Sequence, residues 1–372
     1  MSLAAAARVG DAVAAIATPA LVIDLDALER NIARMAAYAR EHGMRLRPHA
    51  KTHKCAEIAR RQIAAGAVGV CVQKLSEAQA LAEAGVSDLY ISNEVVDAGK
   101  LAELAALAAR ARLAIAVDSG LGVDRLAAAL KAAGSSVDVF VEVDVGHGRC
   151  GVAPAAAASL AHQVVSHGLR FAGLQAYHGR AQHLRTPAER ESAIRHAVSL
   201  ARAAQASVTS AGIACPLVTG AGTGTFVLEA ASGLYGELQA GSYVFMDRDY
   251  ADNHAAPHAP LFEHALFVKS QVMSAGTSHV VVDAGHKSHA IDSGLPRVHG
   301  RELEFVNGGD EHGILRKHGA APLPALGETV WLIPGHCDPT VNLHEHYVVV
   351  RGGLEAGRVE AVWPIDARGC IR

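Results

Sequence analysis

The stretch "GVCVQKLSEAQALAEAGVSDLYIS" (69–92) decides the fold class, because it contains a complete strand–helix–strand unit. "GVCVQ" (69–73) and "DLYIS" (88–92) are short apolar runs typical of buried strands. Between them, apolar residues recur at three- and four-residue spacing, and the run ends at Gly85, as helix C-termini often do. This order predicts two parallel strands joined by a crossover helix.

The same alternation extends from about residue 20 to about residue 245. The β-like runs are 46–50, 69–73, 88–92, 113–118, 138–145, 171–177, 216–220 and 236–243. Eight such strands in roughly 230 residues fit a (β/α)₈ barrel of the TIM type better than an open, doubly wound sheet. The N-terminal part of the chain is therefore predicted to be an α/β barrel.

The pattern changes after about residue 260, where strands are separated by Gly/Pro turns without a convincing helix. This pattern of strands and turns predicts an all-β domain, either a sandwich or a small barrel. We place the barrel at 20–255 and assign 1–19 and 256–372 to the β domain. A strand over 20–25, just after Thr18 and Pro19, is a candidate member of the β-domain sheet.

Composition narrows the class of protein. The 372 residues are 50% hydrophobic with a net charge of −3, so the chain lacks the basic surface typical of nucleic-acid-binding proteins. Arg8 and Asp11 interrupt the Ala-rich N-terminus, which resembles neither a signal peptide nor a membrane span. Six scattered cysteines predict reduced thiols in a cytoplasmic protein rather than a disulfide framework. We expect a small-molecule partner and no membrane partner.

Candidate chemistry lies where the predicted barrel strands end, the usual active-site face of this fold. "RLRPHAKTHK" (45–54) places Lys51 after the first strand, either as a nucleophile or as a lysine in a solvated turn. "TGAGTGT" (219–225) and "QAGSY" (239–243) end strands 7 and 8, as a phosphate cradle or as plain loops. A lysine facing a phosphate cradle suggests pyridoxal phosphate, with Lys51 forming the Schiff base.

A second cluster, "IPGHCDPTVNLHEH" (333–346), lies in the β domain. In extended backbone His336 and Asp338 share a face, while Cys337 points away. An imidazole and a carboxylate suit Mn²⁺, Mg²⁺, Co²⁺ or Zn²⁺, and two ligands fit an open catalytic site better than a structural zinc site. A polar loop with an Asp-Pro turn is the alternative.

Nine segments, in order from about residue 18 to the end, resemble the metal-dependent D-threonine aldolases. They are "RPHAKTHK", "QKLSEAQALAEAG", "ISNEVV", "EVDVGHGRCGV", "GLQAYHG", "GAGTGT", "LQAGSYVFMD", "GDEHG" and "PGHCDPTVNLHE". This family is grouped with eukaryotic-type D-serine dehydratases among the fold-type III pyridoxal-phosphate enzymes. The resemblance implies an alanine-racemase-like barrel with a β domain, and a homodimer with active sites near the interface.

The resemblance also implies a role for particular residues. Lys51 corresponds to the lysine that binds the cofactor covalently, and His183 to a base near the substrate hydroxyl. Arg149 and Tyr177 correspond to residues at the cofactor's phenolic oxygen and pyridine ring. The phosphate would be held by Thr223, Gly224, Gly241, Ser242 and Tyr243, and the metal by His336 and Asp338.

The implied reaction is a retro-aldol cleavage of D-threonine and related D-β-hydroxy-α-amino acids to glycine and an aldehyde, with Mn²⁺ the first choice of metal. His183, or a hydroxide on the metal, would remove the hydroxyl proton. The alternative is a zinc-dependent dehydratase of D-serine or D-3-hydroxyaspartate, which releases ammonia and a 2-oxo acid. Dehydratases of this group resemble His-x-Cys at the metal, whereas the motif here has Asp338 in the aldolase position. Two other classes are a non-catalytic pyridoxal-phosphate-binding barrel and a metal-dependent hydrolase.

Overall fold

The computed structural model describes residues 6–256 and 259–372. The parts of the predicted β domain at 1–5 and 257–258 lie outside these residues. Within them the strands are β1 (Ala20–Asp24), β2 (Arg45–Leu46), β3 (Val70–Val72), β4 (Asp88–Ile91), β5 (Arg112–Val117), β6 (Asp138–Glu142), β7 (Arg170–Ala176), β8 (Val218–Gly220), β9 (Glu237–Leu238), β10 (Leu266–Ala275), β11 (His279–Val282), β12 (Arg297–Val298), β13 (Leu303–Asn307), β14 (Gly313–Lys317), β15 (Thr329–Ile333), β16 (His346–Arg351) and β17 (Arg358–Pro364). The helices are α1 (Leu25–Glu41), α2 (Ala56–Ala64), α3 (Leu75–Glu83), α4 (Ala98–Leu107), α5 (Gly120–Ala133), α6 (Ala157–Ser166), α7 (Pro187–Ser210), α8 (Phe226–Ala231), α9 (Arg248–Ala251) and α10 (Cys337–Val341).

The first sheet is the predicted barrel. Its eight strands run in the order β2-β9-β8-β7-β6-β5-β4-β3, and all of its strand pairs are parallel. The two edge strands meet just beyond β2, where the Cys71 N–H donates to the Pro48 carbonyl at 2.8 Å. An isolated parallel bridge between His49 and Cys71 lies beside it. These contacts join the two edges, so the prediction of an α/β barrel is confirmed.

Two barrel strands are much shorter than predicted. The run at 46–50 shares only Leu46 with the two-residue strand β2, and the run at 236–243 contains only the two-residue strand β9. Beyond them the chain turns into short 3₁₀ helices at Ala50–Thr52 and Ser242–Val244. Pro48 has no N–H to donate, which helps to end pairing after β2. The two turns place Lys51 and Ser242 at the mouth of the barrel.

The second sheet has nine strands in the described residues and is mostly antiparallel. The long strand β10 pairs with β1, β11 and β15. Strand β1 pairs antiparallel with β10 and parallel with β16, so the first strand of the chain lies in this second sheet. Strands β12 and β14 were not predicted, and the short helix α10 corrects the expectation that this region contains no helix.

Apolar packing unites the barrel with the β domain. One core fills the space between the barrel strands and their surrounding helices. A second core contains Leu28 and Met35 of α1 together with Val268, Leu332 and Tyr347 of the β domain. Burying such side chains contributes roughly 1.5–3 kcal/mol each relative to leaving them exposed. Within the described residues, no helix combines the length and apolarity needed to cross a bilayer.

Candidate active site

A cavity of about 250 Å³ opens at the C-terminal ends of the barrel strands. Seven of the sequence-predicted site residues line it, namely Lys51, Arg149, Tyr177, His183, Thr223, Gly241 and Ser242. The other lining residues are His49, Thr52, Gln73, Ser92, His147, Gln175, Gly179, Arg180, Ala221, Gly222, Gln239 and Tyr250. The barrel topology therefore brings together side chains from seven strand ends.

Lys51 connects this cavity to the β domain. It lies in the 3₁₀ turn after β2, and its Nζ donates a hydrogen bond to Asp338 Oδ2. The neighbouring Thr52 hydroxyl donates to Asp338 Oδ1. Burial disfavours both charges, but Asp338 outweighs it and raises the pKa of Lys51, while Lys51 and His336 lower the pKa of Asp338. The two groups form an ammonium–carboxylate pair.

The proposed metal ligands lie side by side, but in a different backbone from the one predicted. His336 is the extended residue before α10, and Asp338 lies in the first turn of that helix rather than in extended chain. The distance from His336 Nε2 to Asp338 Oδ1 is nevertheless 3.9 Å. Cys337 is fully buried in the apolar core, so its thiol does point away from this pair, as predicted.

The surroundings of His336 suit a metal ligand. Its Nδ1 lies 2.7 Å from Asp292 Oδ2, so Nδ1–H donates to this carboxylate and leaves Nε2 facing Asp338. A carboxylate behind a histidine is the usual arrangement that fixes the tautomer of a metal-binding imidazole. Burial lowers the pKa of His336, but Asp338 and Asp292 outweigh it and raise that pKa. The donor set fits part of a divalent-cation site.

The turns after β8 and β9 form a cradle without room for side chains. A Cβ added to Gly241 would lie 2.7 Å from the His49 carbonyl oxygen, and one added to Gly222 would lie 2.4 Å from Gln182 Oε1. Thr223 Oγ1 accepts a hydrogen bond from the Tyr243 N–H at 3.0 Å, which ties the two turns together. The backbone amides of these two turns could bind a phosphate group, and Lys51 lies across the cavity from them. This arrangement fits pyridoxal phosphate.

Two predicted phosphate residues do not line the cavity. The Tyr243 side chain is fully buried, and its hydroxyl accepts a hydrogen bond from Gln62 Nε2 at 3.1 Å. The Gly224 N–H donates to Gln182 Oε1 at 2.9 Å. The backbone N–H of Tyr243 also has a partner, Thr223 Oγ1, so neither Tyr243 nor Gly224 offers an unused donor to a phosphate.

His183 is held by a carboxylate that sequence reasoning missed. Its Nδ1 lies 2.5 Å from Asp249 Oδ2, and Arg185 donates to the other Asp249 oxygen. Burial raises the pKa of Asp249, but the hydrogen bonds from His183 and Arg185 outweigh it and lower that pKa. With Nδ1 occupied, Nε2 is free to take a proton. Asp249 follows directly after the "FMDR" turn, but no local spacing links it to His183.

Comparison with known proteins identifies the relatives of both parts of this chain. Residues 23–249 match the family described as alanine racemase, N-terminal domain, and residues 265–350 match a putative serine dehydratase domain. A D-threonine aldolase from Arthrobacter sp is 47% identical over 371 residues, which cover 98% of this chain and 96% of the relative. The crystal structure of a D-threonine aldolase from Filomicrobium marinum has a TM-score of 0.95 at 47% identity and covers 99% of this chain and 100% of its own.

The chain belongs to the D-threonine aldolase family. Its barrel is the one shared by fold-type III pyridoxal-phosphate enzymes. A 3-hydroxy-D-aspartate aldolase from Paracoccus denitrificans is 42% identical, with 95% of this chain and 92% of the relative covered. A D-threo-3-hydroxyaspartate dehydratase from Delftia sp. is 32% identical, with 89% and 93% covered. The aldolases of the family are thus more similar to this chain than that dehydratase is.

Two further predicted residues of the aldolase-family site lie together on one side of the cavity. The Arg149 guanidinium carbon is 5.8 Å from the centre of the Tyr177 ring. Arg149 Nη2 lies 3.9 Å from Glu142 Oε1, and Glu142 is a buried carboxylate at the end of β6. This pairing directs a cationic group and an aromatic ring into the same space, as a pyridine ring with a phenolic oxygen requires.

Proposed function

We propose that this protein cleaves D-threonine and related D-β-hydroxy-α-amino acids to glycine and an aldehyde, using pyridoxal phosphate and a divalent metal. The observation that carries the proposal is the direct contact of Lys51 with Asp338. It brings the Lys51 side chain of the barrel beside the candidate metal ligands of the β domain. A cofactor on Lys51 and a metal on His336 and Asp338 could thus act on one small substrate.

Several residues would bind and orient the amino acid. Bound pyridoxal phosphate supplies the electron sink for the bond that breaks between Cα and Cβ. Lys51 is the residue that would attach it, while Thr223, Gly241 and Ser242 would hold its phosphate. The exposed Arg180 guanidinium lines the same cavity and is suited to the substrate carboxylate. These contacts would leave Cβ on the Lys51 side of the cavity, where Lys51 is hydrogen-bonded to Asp338.

His183 would remove the proton from the β-hydroxyl. Its Nε2 is available because Nδ1–H donates to Asp249, and a positioned base contributes typically 10²–10⁴-fold to the rate. A divalent cation on His336 and Asp338 supplies a Lewis acid that lowers the pKa of this hydroxyl. As the hydroxyl proton is lost, the oxygen would form the carbonyl of the aldehyde while Cα–Cβ breaks. The aldehyde would then leave, and Cα would take up one proton to give glycine.

The dehydratase remains the second candidate, because the β domain matches a putative serine dehydratase domain. Dehydration would keep Cα–Cβ intact and expel the hydroxyl as water. A metal site of that class would use a thiolate, but Cys337 is buried and burial raises the pKa of its thiol well above the usual value. The carboxylate of Asp338 is the group beside His336, which favours the aldolase.

Enantiomer and metal dependence test the proposal. We expect chelator-treated protein with pyridoxal phosphate to form glycine from D-threonine only after Mn²⁺ is added. The same protein should leave L-threonine unchanged. Glycine formation without metal, or from L-threonine at an equal rate, would contradict the proposal.

Three finer assignments belong to the same proposal. We propose Mn²⁺ as the metal, since a nitrogen and an oxygen donor with open positions suit it, although Mg²⁺, Co²⁺ and Zn²⁺ accept the same ligands. We propose a homodimer, supported by the exposed Ile291 and Leu343 near Asp292 and α10. All six thiols are free, which supports a reducing, cytoplasmic compartment.

A further inference from the structure

A second cluster of ligating side chains lies beside the cavity, at the C-terminal ends of neighbouring barrel strands. Glu94 follows β4, Asp118 follows β5, and Cys150 lies in the loop after β6. One ligand atom from each of these three residues lies within 4.8 Å of the others. None of the three is among the described residues that line the cavity, and none is used in the proposed reaction.

The carboxylates of this cluster lack partners. Both Glu94 oxygens and Glu142 Oε2 are buried without a hydrogen-bond partner among the described residues. Glu142 lies against Glu94 and is only 3% exposed. Asp118 Oδ2 accepts one hydrogen bond, from the Gly151 N–H at 3.1 Å. Buried polar groups are nearly always satisfied, so these oxygens require either a bound cation or protons shared within the cluster.

The charge of the cluster is also uncompensated. Three carboxylates face one guanidinium, that of Arg149, whose Nη2 is 3.9 Å from Glu142 Oε1. Burial and the neighbouring Glu94 raise the pKa of Glu142 to about 9, and they raise the pKa of the Cys150 thiol to about 11. One shared proton would join one oxygen of Glu94 to one of Glu142. The Cys150 thiol lies close enough to Glu94 to donate to its other oxygen. Protons therefore satisfy these groups only while Glu142 and Cys150 both stay protonated, whereas a cation would bind them in their charged forms.

We propose that Glu94, Asp118 and Cys150 bind a second divalent cation, with Glu142 as a further carboxylate ligand. Carboxylate oxygens with one thiolate suit a borderline cation such as Zn²⁺ or Co²⁺ better than Mg²⁺. Binding would release two protons to solvent, one from the Cys150 thiol and one from Glu142, and form a sulfur–metal and a carboxylate–metal bond. This site shares no residue with the His336–Asp338 pair.

The cation would have a structural consequence for the cavity. Glu142 is the contact between the cluster and Arg149, and Arg149 lines the cavity. A metal that fixes Glu142 would therefore hold the guanidinium in place. The site would act on the cofactor pocket through Arg149, without touching the substrate.

Cobalt spectroscopy tests the proposal on the full chain carrying pyridoxal phosphate. Chelator-treated protein is titrated with Co²⁺, and the spectrum of Zn²⁺-loaded protein is subtracted to remove the cofactor's absorbance. We expect a thiolate-to-cobalt charge-transfer band and one more equivalent of bound Co²⁺ than the His336–Asp338 site accounts for. Cys150→Ser should abolish the band and that equivalent, whereas His336→Ala should keep the band and lose the other equivalent.

Matched variants keep the outcome decisive. Cys337→Ser should retain the band, because Cys337 is buried away from both sites. Glu94→Gln removes a charge with little change in shape, and we expect it to weaken Co²⁺ binding about tenfold or more. No band in the wild type, or a band that survives Cys150→Ser or disappears in Cys337→Ser, would overturn the proposal. If the wild type binds only one equivalent of Co²⁺ per chain, the second site is absent. Glu94 and Glu142 would then share only a proton, and the proposal would be wrong.

Discussion

Lys51 and Asp338 are the residues on which the site depends, because each stabilises the charged form of the other across the two domains. They are 287 residues apart in sequence, and their contact arises from the way the β domain covers the barrel mouth. The sequence motif predicted that Lys51 ends a strand and that Asp338 follows a histidine. It contained no signal that the two side chains touch.

Lys51→Ala should abolish both turnover and the absorbance of covalently bound cofactor, because no other lysine of residues 6–256 and 259–372 lines the cavity. Absorbance spectra and glycine formation measure the two effects. The control is Lys287→Ala, since Lys287 is an exposed residue that pairs with Glu311. A Lys51→Ala protein that stays active would show that another group binds the cofactor.

Asp249→Asn should lower kcat by about 10–100-fold, because the amide no longer fixes His183 with Nε2 free. His183→Ala should cost more, typically 10²–10⁴-fold. The double variant should be no slower than His183→Ala alone, since the two residues act as a unit. Additive losses in the three measured kcat values would mean that Asp249 acts elsewhere, for example only through Arg185.

At the scale of single elements, the sequence is most informative where a pattern is local. The strand β4 and the helix α3 follow from periodicity within a few residues. The short helix α10 does not, because its five residues contain an Asp-Pro pair and too few turns to show a helical period. The prediction that Cys337 points away was therefore correct, while the extended backbone used to reach it was wrong.

Helix α10 turns Cys337 into the core, which predicts the effect of Cys337→Ser. A hydroxyl buried without a partner costs about 1–3 kcal/mol, so the free energy of unfolding should fall by that amount. Metal-dependent turnover should persist at a temperature where the variant is folded. Denaturant unfolding and a Mn²⁺ titration measure the two properties. Loss of Mn²⁺ response in the folded variant would identify the thiol as a ligand.

At the scale of the whole molecule, the barrel and its β domain were predictable because their strands alternate with helices in one part and with turns in the other. The pairing of β1 with β10 and β16 joins the start of the chain to its end. Contacts set by such long-range pairing, including His183 with Asp249 and His336 with Asp292, follow from topology. They could not be read from spacing along the chain.

The ion pair between Lys51 and Asp338 makes the free energy of unfolding depend on pH. The pKa of Asp338 is lower in the folded protein than its usual value of about 4, so its stabilising effect is present above about pH 4 and lost as the pH falls through the native pKa. The pKa of Lys51 is raised, so its contribution is lost only in strong alkali. Asp338→Asn should therefore be less stable than the wild type at pH 7, with a difference that shrinks below pH 4. Urea unfolding across this range measures it, and a difference independent of pH would contradict the ion pair.

The most direct test of the account is the identity of the products formed from D-threonine by the Mn²⁺-loaded protein. The account predicts acetaldehyde and glycine in equal amounts, because a carboxylate site at His336 and Asp338 directs cleavage of Cα–Cβ. Ammonia and 2-oxobutyrate would contradict it. That result would mean that the β-hydroxyl leaves as water and that the protein is a dehydratase.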